Sequence, residues 1–388
     1  MIKRLTYISL LLVTALSCVY PYDVTLESSD EFIPVIDGVI TIGDKATVKV
    51  SKMLDLNSDY YGNTLPAIAF SWWVEDDKGT IYTPSSSKPE EINMSVAPFN
   101  RQYRMHVEVD GKTYESSWQT APDPPTIKDI TFWANDYTVF VGVTVNENEE
   151  SGTGFMAFTF EETWEFHVDY IPDYDIDPET WSFKNIMQED EKPGNYYCWA
   201  NNNSNSYVVA DLSNVNGKAN SLVVQSFPRT NNRNHKKYSI KVNAHTITEN
   251  EYRFRSNLQS NKEGGNDLFT PNPGEMAGNI TCTNDDTQRV FGYVTMSRAD
   301  SKRVYLDNRY LIAPEINDAY LTIVPREEYK SYYDSGYRPI KESVDFEGNM
   351  GIGWGPLRCM DCTYAGGTLV KPDFWEGDDH NKPGEAEL

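Results

Sequence analysis

The chain has 388 residues, and its 58 Asp and Glu against 34 Lys and Arg leave a formal charge of −24. At domain sizes of roughly 100–200 residues this length implies two domains. So negative a chain is repelled by phosphate backbones, which excludes nucleic acid as a partner. A mean hydropathy of −0.56 with a single apolar stretch near the N-terminus also excludes a polytopic membrane protein.

In chain order, Lys3 and Arg4 precede a largely apolar run from Leu5 to Leu16, and Ser17-Cys18 follows. This is the pattern of a secretory signal peptide. Its apolar stretch covers about 12 residues, roughly 18 Å as a helix, against a hydrocarbon core of about 30 Å. It is too short to span a bilayer. A small residue directly before a cysteine fits a bacterial lipoprotein signal, in which residues 1–17 are removed and the Cys18 thiol carries diacylglycerol. A plain secretory signal with an incidental cysteine is the alternative. Cleavage would take Lys3 and Arg4 away and leave the mature chain more acidic. Residues 18–32, with Asp23, Glu27, Asp30 and Glu31 and no periodicity, read as an acidic tether.

From 33 to 121 the hydrophobic pattern has period two, bounded by turn residues. Tyr103, Met105, Val107 and Val109 fall on one face of a strand, and Arg104, His106, Glu108 and Asp110 on the other. Asp110-Gly111 tolerates the left-handed backbone of a tight hairpin turn, after which Lys112 to Trp118 returns as the partner strand. On this polar face His106 reads as a solvated strand residue. Similar runs over 35–42, 46–51, 67–75 and 80–83 predict a β-sandwich of immunoglobulin-like or transthyretin-like type.

Pro122, Pro124 and Pro125 make 122–125 a Pro-rich linker, because proline cannot donate to a β ladder. β patterning resumes over 126–133, 138–145 and 154–159, and later over 207–210, 221–225, 238–245, 289–296 and 302–306. These runs predict a larger β-rich domain over 126–375. One α-helix interrupts it. Thr248 and Glu251 form a capping-box pattern, which predicts a helix over 249–261 with Tyr252, Phe254 and Leu258 partly buried and Gly264-Gly265 as its stop. Residues 376–388 have little to bury and read as a disordered acidic tail.

The chain has five cysteines. Setting Cys18 aside leaves Cys198, Cys282, Cys359 and Cys362, an even set in an exported chain, with three possible connectivities. Cys359-Met-Asp-Cys362 has spacing that suits half a zinc site, a redox motif or a short-loop disulfide. Cys198 and Cys282 lack a nearby histidine and no βαβ pattern surrounds the motif, so structural disulfides are expected.

Catalytic signatures are missing from the sequence: there is no HExxH, GxSxG, phosphate loop or dinucleotide fingerprint. A non-catalytic protein without cofactor is the expectation. Asp173, Asp175 and Asp177 alternate as at the start of a calcium loop, but Pro178 stands where an EF-hand needs glycine and Lys184 where it needs glutamate. They remain only a weak Ca²⁺ candidate beside a solvated acidic loop. Tyr329, Tyr332, Tyr333 and Tyr337 stand among polar residues and suggest an exposed platform for a ligand such as a glycan, or else a cluster packed beneath a loop.

Specific strings then accumulate in order: Glu162-Thr-Trp-Glu165, Cys198-Trp199, Gly264-Gly-Asn-Asp-Leu-Phe269, Pro271-Asn-Pro273, Gly278-Asn-Ile280, Gly292-Tyr-Val294, Ser301-Lys-Arg303, and Cys359-Met-Asp-Cys362 through Gly366-Gly-Thr368 to Lys371-Pro-Asp-Phe-Trp375. Together they resemble a Bacteroidota outer-membrane lipoprotein family catalogued as domain of unknown function 4249. The resemblance implies lipid anchoring in the outer membrane, at the cell surface or on its periplasmic face. It also implies a role as an accessory or binding subunit beside a TonB-dependent transporter. A glycan-binding or adhesion lipoprotein is the alternative that the aromatic content suggests.

Overall fold

The computed structural model describes residues 32–53, 68–146, 154–186, 194–204, 206–212, 221–263, 278–307, 321–345 and 347–376. The protein is mainly β, as its alternating patterns require. Cys18, nearly all of the tether, the Gly264-Gly265 stop and almost the whole tail lie outside the described residues.

The first body packs two sheets. One runs β19 (Phe291–Ser297), β1 (Pro34–Thr41), β2 (Lys45–Lys52), β5 (Glu91–Asn93). The other runs β18 (Ile280–Cys282), β7 (Lys112–Ser116), β6 (Gln102–Val109), β3 (Phe70–Asp76), β4 (Ile81–Tyr82), with β8 (Gln119–Thr120) paired to β6. Ile36, Ile40, Trp72, Tyr103, Met105 and Val294 fill the space between them. Each such buried aliphatic side chain contributes about 1.5–3 kcal/mol relative to exposure. The β6–β7 hairpin turns at Asp110 and Gly111, whose φ angles of 53° and 71° are those of the expected tight turn.

The prolines do not divide the chain cleanly, and here the reading of 33–121 and 126–375 as separate domains is corrected. β18 and β19, from far downstream, complete both sheets of the first body. β19 lies parallel to β1 along seven residue pairs from Val35↔Phe291 to Thr41↔Ser297. Gly292 permits the approach: its φ is +118°, and a Cβ there would strike the Ile36 carbonyl. A parallel partner needs a long crossover, so local pattern does not reveal it.

The second body packs β16 (Leu222–Pro228), β10 (Thr138–Asn146) and β9 (Thr126–Ala134) against a larger sheet. That sheet is β14 (Tyr197–Asn203), β11 (Phe155–His167), β17 (Lys237–Thr246) and β20 (Ala299–Asp307), with β15 (Val208–Asp211) also on β11. Val139, Val141, Phe158, Phe166, Ile240 and Val242 form its core. β19 and β20 are nearly continuous, so one stretch of chain serves a sheet in each body.

A smaller C-terminal module holds β12 (Tyr174–Ile176), β13 (Phe183–Asn185), β21 (Thr322–Ile323), β22 (Tyr337–Val344) and β23 (Met350–Pro356). It has its own small cores around Ile340 and Trp354. The expected helix is α1 (Glu249–Glu263), and a second, unexpected one is the six-residue α2 (Tyr329–Asp334). One disulfide, Cys198–Cys362, joins β14 to the C-terminal segment across 164 residues of sequence.

Candidate functional site

The outward faces of the two bodies diverge to form a cleft. β1 alternates, so Ile36, Gly38 and Ile40 turn to the core while Asp37 and Val39 turn outward. Across it on β2, Thr47 and Lys49 share that face, paired with Val39 and Asp37. Thr159 on β11, Tyr207 before β15, and α1 form the opposite wall. The space is about 630 Å³, the size of a small-ligand site. It continues into a lobe of about 430 Å³ that reaches Glu161, Lys241 and His245.

α1 brings the charge. Thr248 Oγ1 accepts from the Glu251 backbone N–H at 3.2 Å, which starts the helix as expected. The Glu251 carboxylate, which a capping box sends back to the helix terminus, instead accepts from Arg255 Nε at 2.7 Å and from the Thr295 hydroxyl. Arg255 also donates to Thr295 Oγ1 at 2.6 Å, and its guanidinium lies 3.9 Å over the Tyr207 ring. Arg255 is 8% exposed and Glu251 2%, so this is a buried pair opening toward Asp37, 3.9 Å from the guanidinium. Burial lifts the Asp37 carboxyl above its ordinary range, against the pull of Arg255 and Lys49. It lifts the Tyr207 hydroxyl too.

His245 sits deeper, with Nδ1 3.0 Å from the Ser297 hydroxyl. Burial, helped by the nearby Arg255, pushes its pKa down to about 4, so the ring is neutral at physiological pH. On the next wall Lys241 is 3.5 Å from Glu161. Among the charged groups named here Arg255 and Lys241 are therefore engaged by carboxylates, and the cleft offers hydroxyls, paired charges and the half-exposed Leu258 to a visitor. None of these residues stands out by composition. The one sequence signal was Glu251 and Arg255 at i, i+4 on a capped helix.

The Glu162-Thr-Trp-Glu165 string has a different role. Glu162 is fully buried in the second body and accepts from Arg233 Nε at 3.1 Å, Asn202 at 2.7 Å and the Tyr238 hydroxyl at 2.7 Å. Burial alone would raise its pKa, and these partners overcome it, holding the carboxyl below its usual range. The Arg233 guanidinium lies 4.1 Å over Trp164, so three residues of the network come from one short string and the 3-10 turn facing it.

Several expectations are corrected. Cys282 and Cys359 are free, so only two of the four mature cysteines pair. Cys282 belongs to the core of the first body, where its thiol donates to Asn284 Oδ1, and Cys359 packs with Ile340 in the C-terminal module. They stand in different cores and cannot meet. Burial pushes the Cys359 thiol pKa up. The four tyrosines are no exposed platform. Tyr329, Tyr332, Tyr333 and Tyr337 are half-buried against the Trp354 cluster, with Tyr329 5.2 Å from Trp354 and Tyr332 edge-on to Tyr337.

The calcium candidate does not assemble either. Asp175 accepts from the Ile176 N–H, and Asp177 accepts from Glu179 and Thr180, turning back on its own loop. Among the described residues no group of three or more His, Cys, Asp or Glu side chains could hold a metal ion with Asp173 or elsewhere. His106 is not solvated. Its side chain is 6% exposed, stacked 4.8 Å from Trp73 and 2.9 Å from Glu75. Arg104 bridges Glu75 and Glu115 beside it and lies 4.6 Å over Trp118. A pair of indoles seals a charged cluster that alternation alone assigns to water.

Comparison with known proteins gives one family match. The model described as Domain of unknown function (DUF4249) matches residues 19–303, and that span includes both walls of the cleft. No curated protein matches the chain.

Proposed function

Since the chain belongs to the DUF4249 family, we propose that it is an outer-membrane lipoprotein, anchored through lipid on Cys18, that works by binding as an accessory subunit of a TonB-dependent transporter. The observation that carries the reading is the N-terminal order of Lys3-Arg4, an apolar run and Ser17-Cys18. No helix among the described residues is long and apolar enough to cross a membrane. In this reading attachment falls to the lipid on Cys18.

Sixteen residue steps separate Cys18 from Pro34, the start of β1, a reach of at most about 58 Å. That keeps the first body, and the cleft on the outer face of β1, close to the bilayer and to an integral partner. What supports binding over chemistry is the state of the cleft's groups. Arg255 and Lys241 are held by carboxylates, and His245 is neutral and hydrogen-bonded.

Affinity purification from solubilised native membranes in mild detergent tests the reading. Recovery with an integral β-barrel transporter in fixed ratio is the expected result. Recovery as a lone monomer would overturn it.

A further inference from the structure

The outer face of the three-stranded sheet in the second body carries an aromatic surface that neither the cleft nor the anchor uses. Trp133 on β9 and Phe140 on β10 are directly paired across the strands. Their rings lie within 16° of parallel with centroids 5.7 Å apart. Trp133 remains 40% exposed.

The backbone beneath is shaped to this arrangement. Gly142 is buried in mid-strand, where a glycine costs stability. A Cβ there would meet the benzo edge of Trp133, with Cζ3 at 2.5 Å and Cη2 at 2.8 Å, and would also strike the Ser221 hydroxyl. The indole is thus drawn down over the central strand instead of projecting from it. On its far side the hydroxyls of Thr131 on β9 and of Ser221, the residue just before β16, meet at 3.2 Å above the same glycine. Ser226, paired with Phe140, adds an exposed hydroxyl on the other flank.

The surface is therefore a pair of near-parallel rings bordered by neutral hydroxyls. An aromatic face carries partial negative charge and attracts polarised C–H groups. The axial C–H face of a pyranose presents such groups, and its rim of hydroxyls matches Thr131, Ser221 and Ser226 as both donors and acceptors. An anionic ligand would find no cation among these residues, and a purely apolar partner would strand the hydroxyls.

We propose that Trp133, Phe140, Thr131 and Ser221 form a binding site for a neutral saccharide, on a face separate from the cleft. The proposal does not depend on the membrane assignment or on the transporter.

Titration calorimetry of the mature chain with maltohexaose, cellohexaose, xylohexaose and mannohexaose, each to about 10 mM, tests it. At least one should bind with a Kd of about 0.1–1 mM. Trp133→Ala should weaken it about tenfold or more, the loss expected for one aromatic stacking partner. Trp118→Ala, at another partly exposed indole, should leave it unchanged. In the unaltered protein the bound sugar should protect Trp133 from N-bromosuccinimide oxidation, read by peptide mass spectrometry, so the result survives a variant that fails to fold. Absence of binding across the panel, equal affinity in Trp133→Ala, or oxidation of Trp133 unaffected by a bound sugar would each overturn the site.

Discussion

Two arginine–glutamate pairs in this protein, each with a buried carboxylate, share chemistry and differ in setting. Glu162 and Arg233 lie inside one body, where Asn202, Gln225 and Tyr238 add further hydrogen bonds to the carboxylate. Glu251 and Arg255 lie at the junction of α1 with β19, supported by Thr295 and open on one side to Asp37 and the cleft. A charge sealed in a core must be fully satisfied, because an orphaned partner there has no water to turn to. A charge at a cleft wall can leave one flank to a ligand or to solvent. The same pair of residues thus fixes packing in one place and shapes a surface in the other.

Breaking the sealed pair should cost most. Glu162→Ala leaves the Arg233 guanidinium, 15% exposed, without its carboxylate, and denaturant unfolding should show a loss of about 3 kcal/mol. Glu162→Gln keeps several hydrogen bonds and should cost less. Reducing Cys198–Cys362, which closes a long loop onto the second body, should cost about 2–4 kcal/mol. Alkylation mapping should then find two new thiols beside Cys282 and Cys359.

The cleft side responds to pH. The folded pKa of His245, about 4, lies below its ordinary value. The folded state therefore binds fewer protons than the unfolded state between those values, and stability falls as pH drops through that window. Moving from pH 7 to pH 5 should cost about 2 kcal/mol through this group, and His245→Asn should flatten that slope. The smallest effect should be at Leu258, half-exposed at the cleft. Leu258→Ala should stay within about 0.5 kcal/mol of the parent, while Glu251→Ala at the same junction should cost about 2 kcal/mol.

The contrast also marks what could be read from the residues. β6 and β7 were legible because alternation and Asp110-Gly111 are local signals that decide face and turn together. β17, β10 and α1 were legible for the same reason. The run over 289–296 marked β19, but its partner lies far upstream, and no local rule assigns a parallel neighbour at that distance; β18, three residues long, carried no strand pattern of its own. His106 reads as solvated on alternation and is buried by Trp73, an indole contributed by the adjacent strand. The tyrosines of 329–337 lacked aliphatic neighbours in sequence, yet Trp354 and Phe183 meet them from other strands. The cleft was invisible for the same reason: Asp37, Thr159, Tyr207 and Arg255 come from four separate segments. The family resemblance, by contrast, was carried by strings that survive without any three-dimensional reasoning.

The central claim is that this acidic body is held at a membrane by lipid on Cys18. Mass spectrometry of the mature N-terminus, purified from its native membranes, tests it most directly. The account predicts that the chain begins at Cys18 with a diacylglyceryl group on the thiol, and that Cys18→Ala releases the protein from the membrane fraction. A mature chain cut elsewhere, or one that begins at Cys18 with a free thiol, would contradict it.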